Sequence, residues 1–231
     1  LTATALGVQL LVHYGHSCLI PIDQTGGIKV LYVFVDIKID PLHFIETIKL
    51  NLPTTTKIGL VSTIQFVTTL QAVSLKLKEF GYDVSVPQFK PLSPGEILGC
   101  TAPVIRCVDT IIYLGDGRFH LEAAMIANPK LQAFRYDPYD KKFTREYYDH
   151  AQMEKIRKES VECAKNSQFF GIIMGTLGRQ GNPKVVEHLR KRLVELGKDA
   201  VIILLSEVFP KKLDLFACLD AFVQVACPRL S

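Results

Sequence analysis

Two cysteines stand where a thiolate could do chemistry. Cys100 lies near the end of the glycine- and proline-containing stretch SPGEILGCTA (93–102), and Cys227 follows an apolar run and precedes Pro228 and Arg229. Structural cysteines more often sit inside an apolar strand or helix. A strand-end thiol beside a cation is instead favoured as the thiolate, the form that attacks electrophiles and binds metals. Neither residue belongs to a Cys-x-x-Cys pair, and no histidine spacing completes a zinc finger. Acting together, Cys100 and Cys227 would suit a soft metal or an iron–sulfur cluster. Cys18, Cys107, Cys163 and Cys218 read as core or incidental.

Cys227 belongs to a segment that occurs three times: GVQLLVHYGHS (7–17), CVDTIIYLGDG (107–117) and CLDAFVQVACP (218–228). Each is an apolar run that ends in a small residue, Gly15, Gly115 or Ala226, followed by a ligand or acid–base type, His16, Asp116 or Cys227. Spacings of about 100 and about 111 residues make the repeat a whole small domain, longer than the roughly 20–50-residue unit of a solenoid. Neighbouring segments repeat at similar offsets, VLYVFVD (30–36) with QAFRYDP (132–138) and LVSTI (60–64) with IMGTL (173–177). The loop GTLGRQG (175–181) could offer backbone N–H groups to a carboxylate or phosphate, or could be a tight strand-to-helix turn. It lacks the Gly-Lys-Ser/Thr of a P-loop and the GxGxxG spacing. Asp116, Arg118 and His120 of GDGRFH form either a charged pocket rim or a solvated loop.

The elements that must position these residues are short Val-, Ile-, Leu- and Tyr-rich runs alternating with helical patterns, the signature of βαβ units around parallel sheets. Strands are expected at 10–14, 29–35, 58–62, 83–86, 110–114, 133–136, 171–175, 201–205 and 221–225. Val67, Leu70, Val73, Leu77 and Phe80 keep helical spacing up to Gly81, and Val186, Leu189, Leu193 and Leu196 do so up to Gly197. Asn182 and Pro183 suit the start of the second helix. The expected organisation is the tail of one α/β domain at 1–27, a second domain at 28–128 and a third, cut short, at 129–231. Leu1 is not a methionine and 1–7 reads as mid-helix, so the chain is expected to be a fragment. In parallel sheets ligands collect beyond the carboxyl ends of the strands, so the loops after the strands are the ones to watch.

With 231 residues, 48% hydrophobic and 22% charged, the composition is that of an ordinary globular protein. A net charge of +4 does not argue for nucleic acid. No stretch reaches the roughly 18 apolar residues of a membrane span, and no basic segment opens a signal peptide, so a cytoplasmic location with reduced thiols is expected.

The strings HYGHSCLIP, VLYVFVDI, STIQF, KPLSPGEILGCT, YLGDGRFHLE, MIANP, RYDPY, GTLGRQGNP and VQVACPR, in this order, resemble the diphthamide synthase family over essentially the whole chain, most closely the first subunit of its eukaryotic members. The resemblance implies three homologous α/β domains in a pseudo-threefold arrangement, each giving one cysteine to a four-iron four-sulfur cluster. Cys100 matches the second ligand and Cys227 the third, while the first falls in a Cys-Val-Asp-Asp type motif a few residues before Leu1. It further implies S-adenosylmethionine as cofactor and transfer of its 3-amino-3-carboxypropyl group to a histidine of translation elongation factor 2. A related second subunit in a heterodimer and a small electron-donor protein are implied as partners. The cofactor is expected at Gly15, His16, Gln65, Gly115, Asp116, Thr176, Gly178 and Arg179. Two other readings remain: a non-catalytic subunit of the same complex, and a nucleotide-binding module without redox chemistry. Quinolinate synthase shares the three-domain, three-cysteine architecture but not these strings.

Overall fold

A computed structural model describes residues 2–15, 27–90, 92–99, 101–176 and 181–227. Its strands are β1 (Leu10–Gly15), β2 (Lys29–Phe34), β3 (Lys57–Ser62), β4 (Asp83–Ser85), β5 (Thr110–Leu114), β6 (Gln132–Asp137), β7 (Lys142–Glu146), β8 (Phe169–Gly175), β9 (Asp199–Leu205) and β10 (Ala221–Val225). The helices are α1 (Thr2–Ala5), α2 (Pro41–Asn51), α3 (Val67–Glu79), α4 (Phe119–Ala127), α5 (His150–Ala164), α6 (Pro183–Glu195) and α7 (Pro210–Leu213). The strands form three sheets, ordered β1-β2, β4-β3-β5-β6-β7 and β10-β8-β9, parallel throughout except for the antiparallel β6–β7 pair. The architecture is α/β, as expected, and the nine expected strands are present. By compactness the chain divides into 1–148 and 149–231.

In the first unit the five-stranded sheet is covered on both faces, which is why β3 and β5 read as unbroken apolar runs. Alternation sends Ile58 and Leu60 of β3, Ile112 and Leu114 of β5 and Tyr136 of β6 to one face. There they pack against Phe44, Ile45 and Ile48 of α2 and Leu70, Val73 and Leu77 of α3. Val61, Ile111, Tyr113 and Ala133 point to the other face, against Leu121, Ala124 and Met125 of α4 and Ile97, Ile105 and Val108 of the 92–108 loop. Asp40 caps α2 through Leu42 N–H at 3.0 Å, and Pro41 opens it.

The second unit repeats the centre of the first. In the order β4-β3-β5 the middle strand is followed by α3, and in β9-β8-β10 by α6. The repeated aspartates explain part of the sequence match. Asp109 N–H donates to Lys57 O at 2.9 Å, and its carboxylate accepts Lys57 N–H at 3.1 Å. Asp220 N–H likewise donates to Phe169 O at 2.9 Å, and its carboxylate accepts Phe169 N–H at 2.8 Å and Gln168 N–H at 2.9 Å. Each therefore clamps the amino end of the central strand to its neighbour. Asn182 accepts Lys184 N–H at 3.0 Å as the cap of α6.

The strands that follow the expected boundaries at 28 and 129 pair with the strand before them, β2 with β1 and β6 with β5. The compact division falls between Tyr148 and Asp149, after β7 has added an antiparallel edge. The physical reason is the short βαβ crossover: α4 returns the chain beside β5, where pairing is immediate.

Candidate metal and cofactor site

The carboxyl end of β3 is built from backbone pairing with the loop that leads to Cys100. Ser62 N–H donates to Gly95 O at 2.8 Å and Ile97 N–H to Ser62 O at 2.9 Å. Gly95 N–H reaches Pro87 O at 2.7 Å, and Gln71 Nε2 holds Pro94 O at 2.8 Å. The turn itself is closed by Glu96, whose backbone N–H donates to Ser93 O and whose carboxylate accepts Ser93 N–H, both at 3.0 Å. Gly95 has φ +84°, and a Cβ there would meet Leu70 Cδ2 and Val86 Cγ1, so only glycine fits. Ile97, Leu98 and Gly99 are buried, and Thr101 N–H donates back to Leu98 O at 3.2 Å. Cys100 itself lies outside the described residues.

Buried polar atoms gather in sequence just beyond β3. Ser62 is fully buried and Gln65 nearly so, and neither Ser62 Oγ nor Gln65 Oε1 has a hydrogen-bond partner among the described residues. Gln65 is held by its backbone, whose carbonyl accepts Ile37 N–H at 2.8 Å. A buried polar group left unpaired costs about 1–3 kcal/mol, so these atoms fit a site that a polar ligand completes. Thr101 Oγ1 is also buried and has no hydrogen-bond partner among the described residues.

The glycine motif has a structural meaning that sequence reading missed. A Cβ at Gly115 would lie 2.6 Å from Tyr113 Oη, and one at Gly15 would meet His13 Nε2. Residues two apart on a strand share a face, so the small residue leaves room for the ring to lean along the strand toward its carboxyl end. In the third copy Gln224 takes the ring's place before Ala226, and its Nε2 donates to Cys227 O at 3.4 Å. Period-two spacing back from the small residue is the signal that could have found His13, Tyr113 and Gln224. Tyr113 is fully buried, and burial pushes its hydroxyl far above the usual tyrosine range. The neighbouring Thr63 hydroxyl and the Arg135 charge oppose that rise, while Asp116 and Asp137 add to it. Beside it, Glu146 pairs with Arg118 at 3.2 Å and Arg135 at 3.3 Å, and Arg135 also meets Asp137 at 3.4 Å.

The other expected site residues are distributed as follows. Gly115 is buried and Asp116 exposed at the end of β5. Gly15 ends β1, and Thr176 is exposed after β8 with its N–H on Leu205 O at 2.9 Å. His16, Gly178 and Arg179 lie outside the described residues, as does Cys18. Cys227 is buried, 1% exposed, just past the carboxyl end of β10. Cys107, Cys163 and Cys218 are free and exposed, which leaves the incidental rather than the core half of the reading given to these three. Cys107 and Cys218 precede β5 and β10, at the sheet ends away from the ligand loops. Among the described residues no group of three or more His, Cys, Asp or Glu side chains could hold a metal ion, and no helix is long and apolar enough to cross a membrane.

Comparison with known proteins gives a consistent answer. The model of the diphthamide synthesis protein family matches residues 1–231. The 2-(3-amino-3-carboxypropyl)histidine synthase subunit 1 of Nematostella vectensis is 62% identical over 230 residues, covering 100% of this chain and 49% of that protein. Its Homo sapiens counterpart is 58% identical over 232 residues, with 100% and 53% covered. The chain thus spans about half the length of these curated relatives. Among solved structures, Dph2 from Pyrococcus horikoshii with a 4Fe-4S cluster aligns with TM-score 0.76 at 25% identity, over 99% of this chain and 66% of that one. Matched from first residue to last by the family model, the chain belongs to the diphthamide synthesis protein family.

Proposed function

We propose that this chain forms part of an S-adenosylmethionine-dependent transferase that moves the 3-amino-3-carboxypropyl group to a histidine of translation elongation factor 2, the first step in making diphthamide. The observation that carries this reading is the buried cysteine Cys227 just past a strand's carboxyl end, in a chain similar to Dph2 from Pyrococcus horikoshii with a 4Fe-4S cluster. Cys100 and Cys227 are the thiolates this chain would give to such a cluster. Held by these thiolates, a four-iron cluster would supply one electron to cleave the bond between sulfur and the methionine γ-carbon, with methylthioadenosine as by-product, and would take one electron back as the adduct at imidazole C2 loses its proton.

The chain's own task is to orient the cofactor and exclude water. Gln65 Oε1, buried without a donor, is suited to accept from the ammonium of the methionine moiety, and Ser62 Oγ can add a second bond. Tyr113 stays protonated because it is buried, so it can donate to a carboxylate without bringing a competing negative charge. Gly15 and Gly115 belong to the proposed set because each makes room for the His13 or Tyr113 ring at the end of its strand. Asp116 and Thr176 are exposed on the loops beyond their strands, and His16, Gly178 and Arg179 complete the proposed set. A related second subunit, a small electron-donor protein and a cytoplasmic setting complete the proposal.

The experiment is anaerobic reconstitution of the full-length protein with its second subunit. Cys100→Ala and Cys227→Ala should each abolish the broad iron–sulfur absorption, and Cys163→Ala should keep it. Electron paramagnetic resonance of the reduced protein should change on adding S-adenosylmethionine. If all three variants hold iron as the parent does, the ligand assignment is wrong. A folded parent without any iron signal would make this a scaffold subunit.

A further inference from the structure

The five-stranded sheet reverses its direction of winding between β3 and β5. The crossover from β3 runs through α3 to β4 on one side, and the crossover from β5 runs through α4 to β6 on the other. α3 packs on one face of the sheet and α4 on the opposite face. In parallel sheets a ligand crevice opens beyond the carboxyl ends of two strands that part in this way. Two buried hydroxyls flank that point. Val61 is the register partner of Tyr113, and Ser62 of Leu114. One step further brings Thr63 beside Gly115, and residues two apart on a strand share a face, so Thr63 lies on the Tyr113 face. The Tyr113 ring leans over Gly115, where a Cβ would lie 2.6 Å from its Oη. Thr63 is 2% exposed and makes no capping bond, and its Oγ1 has no partner with hydrogen-bond geometry among the described residues. Tyr113 Oη reaches Asp116 O at 3.5 Å, beyond the usual length of a hydrogen bond.

We infer that Thr63 binds the carboxylate of the methionine moiety together with Tyr113, and so selects a carboxylate-bearing cofactor; this rests on the S-adenosylmethionine reading above. The chemistry of the donors points to that group. Beside Tyr113 the cations are already committed, Arg135 to Glu146 at 3.3 Å and Asp137 at 3.4 Å, and Arg118 to Glu146 and Glu122, both at 3.2 Å. The two hydroxyls remain as neutral donors, and an O–H bond to a carboxylate is roughly twice as strong as one between neutral groups. A buried hydroxyl without a partner is unfavourable, and a bound carboxylate supplies that partner. Gln65 Oε1, an acceptor only, suits the ammonium at the other end of the same head group. The internal repeat gives Thr63 a counterpart, since LVSTI (60–64) matches IMGTL (173–177) and aligns it with Thr176. Thr176 is exposed, whereas Thr63 is the copy sealed from water, where a hydrogen bond to a charged group discriminates most.

The test is equilibrium dialysis on the full-length protein with its second subunit, reconstituted anaerobically and kept unreduced so that the cofactor is not cleaved. Three probes are compared: S-adenosylmethionine, its decarboxylated analogue, which keeps the amine, and methylthioadenosine, which lacks the whole aminocarboxypropyl group. Thr63→Val removes the hydroxyl and keeps the shape. The expected result is S-adenosylmethionine held about ten- to a hundredfold more weakly by Thr63→Val, the loss of a hydrogen bond to a charged group. The other two probes should bind as they do to the parent, and Thr63→Ser should restore the parent's preference for the carboxylate. Should Thr63→Val not fold, Thr63→Ala is read the same way. S-adenosylmethionine binding left unchanged overturns the inference, since the hydroxyl then meets a trapped water and not the cofactor. All three probes weakened alike also overturns it, since the hydroxyl then serves the fold or the adenosine end. A parent that binds S-adenosylmethionine no better than buffer overturns the cofactor reading and this inference with it.

Discussion

Replacing Gly95 with alanine tests whether the turn before Cys100 is as constrained as its geometry implies. Two costs add. Its φ of +84° lies in the left-handed region, which costs a residue with a Cβ roughly 1–2 kcal/mol. The new methyl would also overlap Leu70 Cδ2 and sit 3.0 Å from Val86 Cγ1. Leu70 is fully buried among α3 neighbours and cannot swing aside, so overpacking adds about 1–3 kcal/mol. The variant should therefore lose about 2–5 kcal/mol from the first unit, a sum of the two ranges. Gly81→Ala separates the terms, because Gly81 has φ +87° but nothing within 4 Å of its added Cβ. It should show the backbone cost only. Urea unfolding of the full chain gives the totals, and native-state exchange at the Ser62 and Ile97 amides reports the turn itself. If Gly95→Ala costs no more than Gly81→Ala, the packing of the turn against α3 is wrong.

Two further outcomes follow from titrating groups. The bonds from Phe169 N–H and then Gln168 N–H hold the Asp220 carboxyl below the usual carboxylate range. Its contribution is present above the unfolded value of about 3.9 and lost as pH falls through the lower folded value. Asp220→Asn should therefore flatten the acid limb of the second unit's stability, followed by exchange at β8 amides; superimposable limbs would remove the clamp. Tyr136 is pushed up to about 12, first by burial and then by Asp40 and Asp137. Its stabilising effect is present below about pH 10 and fades as pH rises through the folded value. Tyr136→Phe should cost about 1 kcal/mol at neutral pH through the lost His43 bond and give a shallower alkaline limb. An unchanged limb in pH-dependent unfolding would reject that assignment.

Strands and helices were legible because their signals are local. Apolar runs of five to seven residues gave the parallel strands, and the Asn182-Pro183 start with its Gly197 stop bracketed α6. β7 was not seen: KFTRE is short, charged and on an edge, held by its antiparallel pairing with β6 through a turn in which Lys141 has φ 52°. Domain boundaries are harder to read for a related reason. Similarity between VLYVFVD and QAFRYDP identifies equivalent strands, yet which sheet a strand joins is decided by pairing that no single segment encodes. Orphaned buried atoms such as Gln65 Oε1 are invisible in sequence, since burial at that point depends on α2, α3 and the 92–99 loop arriving together.

The internal repeat divides scaffold from chemistry. What recurs between the units has a folding explanation: Asp109 and Asp220 clamp strand starts. What does not recur is the thiol. Cys227 stands where the other copies carry Asp116 and His16, and Cys100 belongs to the loop between β4 and β5, not to the motif after β5. A repeated scaffold with unrepeated cysteines is what a fold multiplied first and specialised later would leave. It makes a sharp demand on the cluster reading: the two thiolates come from different positions in the repeat, so each needs its own supporting contacts. Asn128 ties Ile105 and Pro103 of the 101–108 stretch, and Gln224 bonds the Cys227 carbonyl.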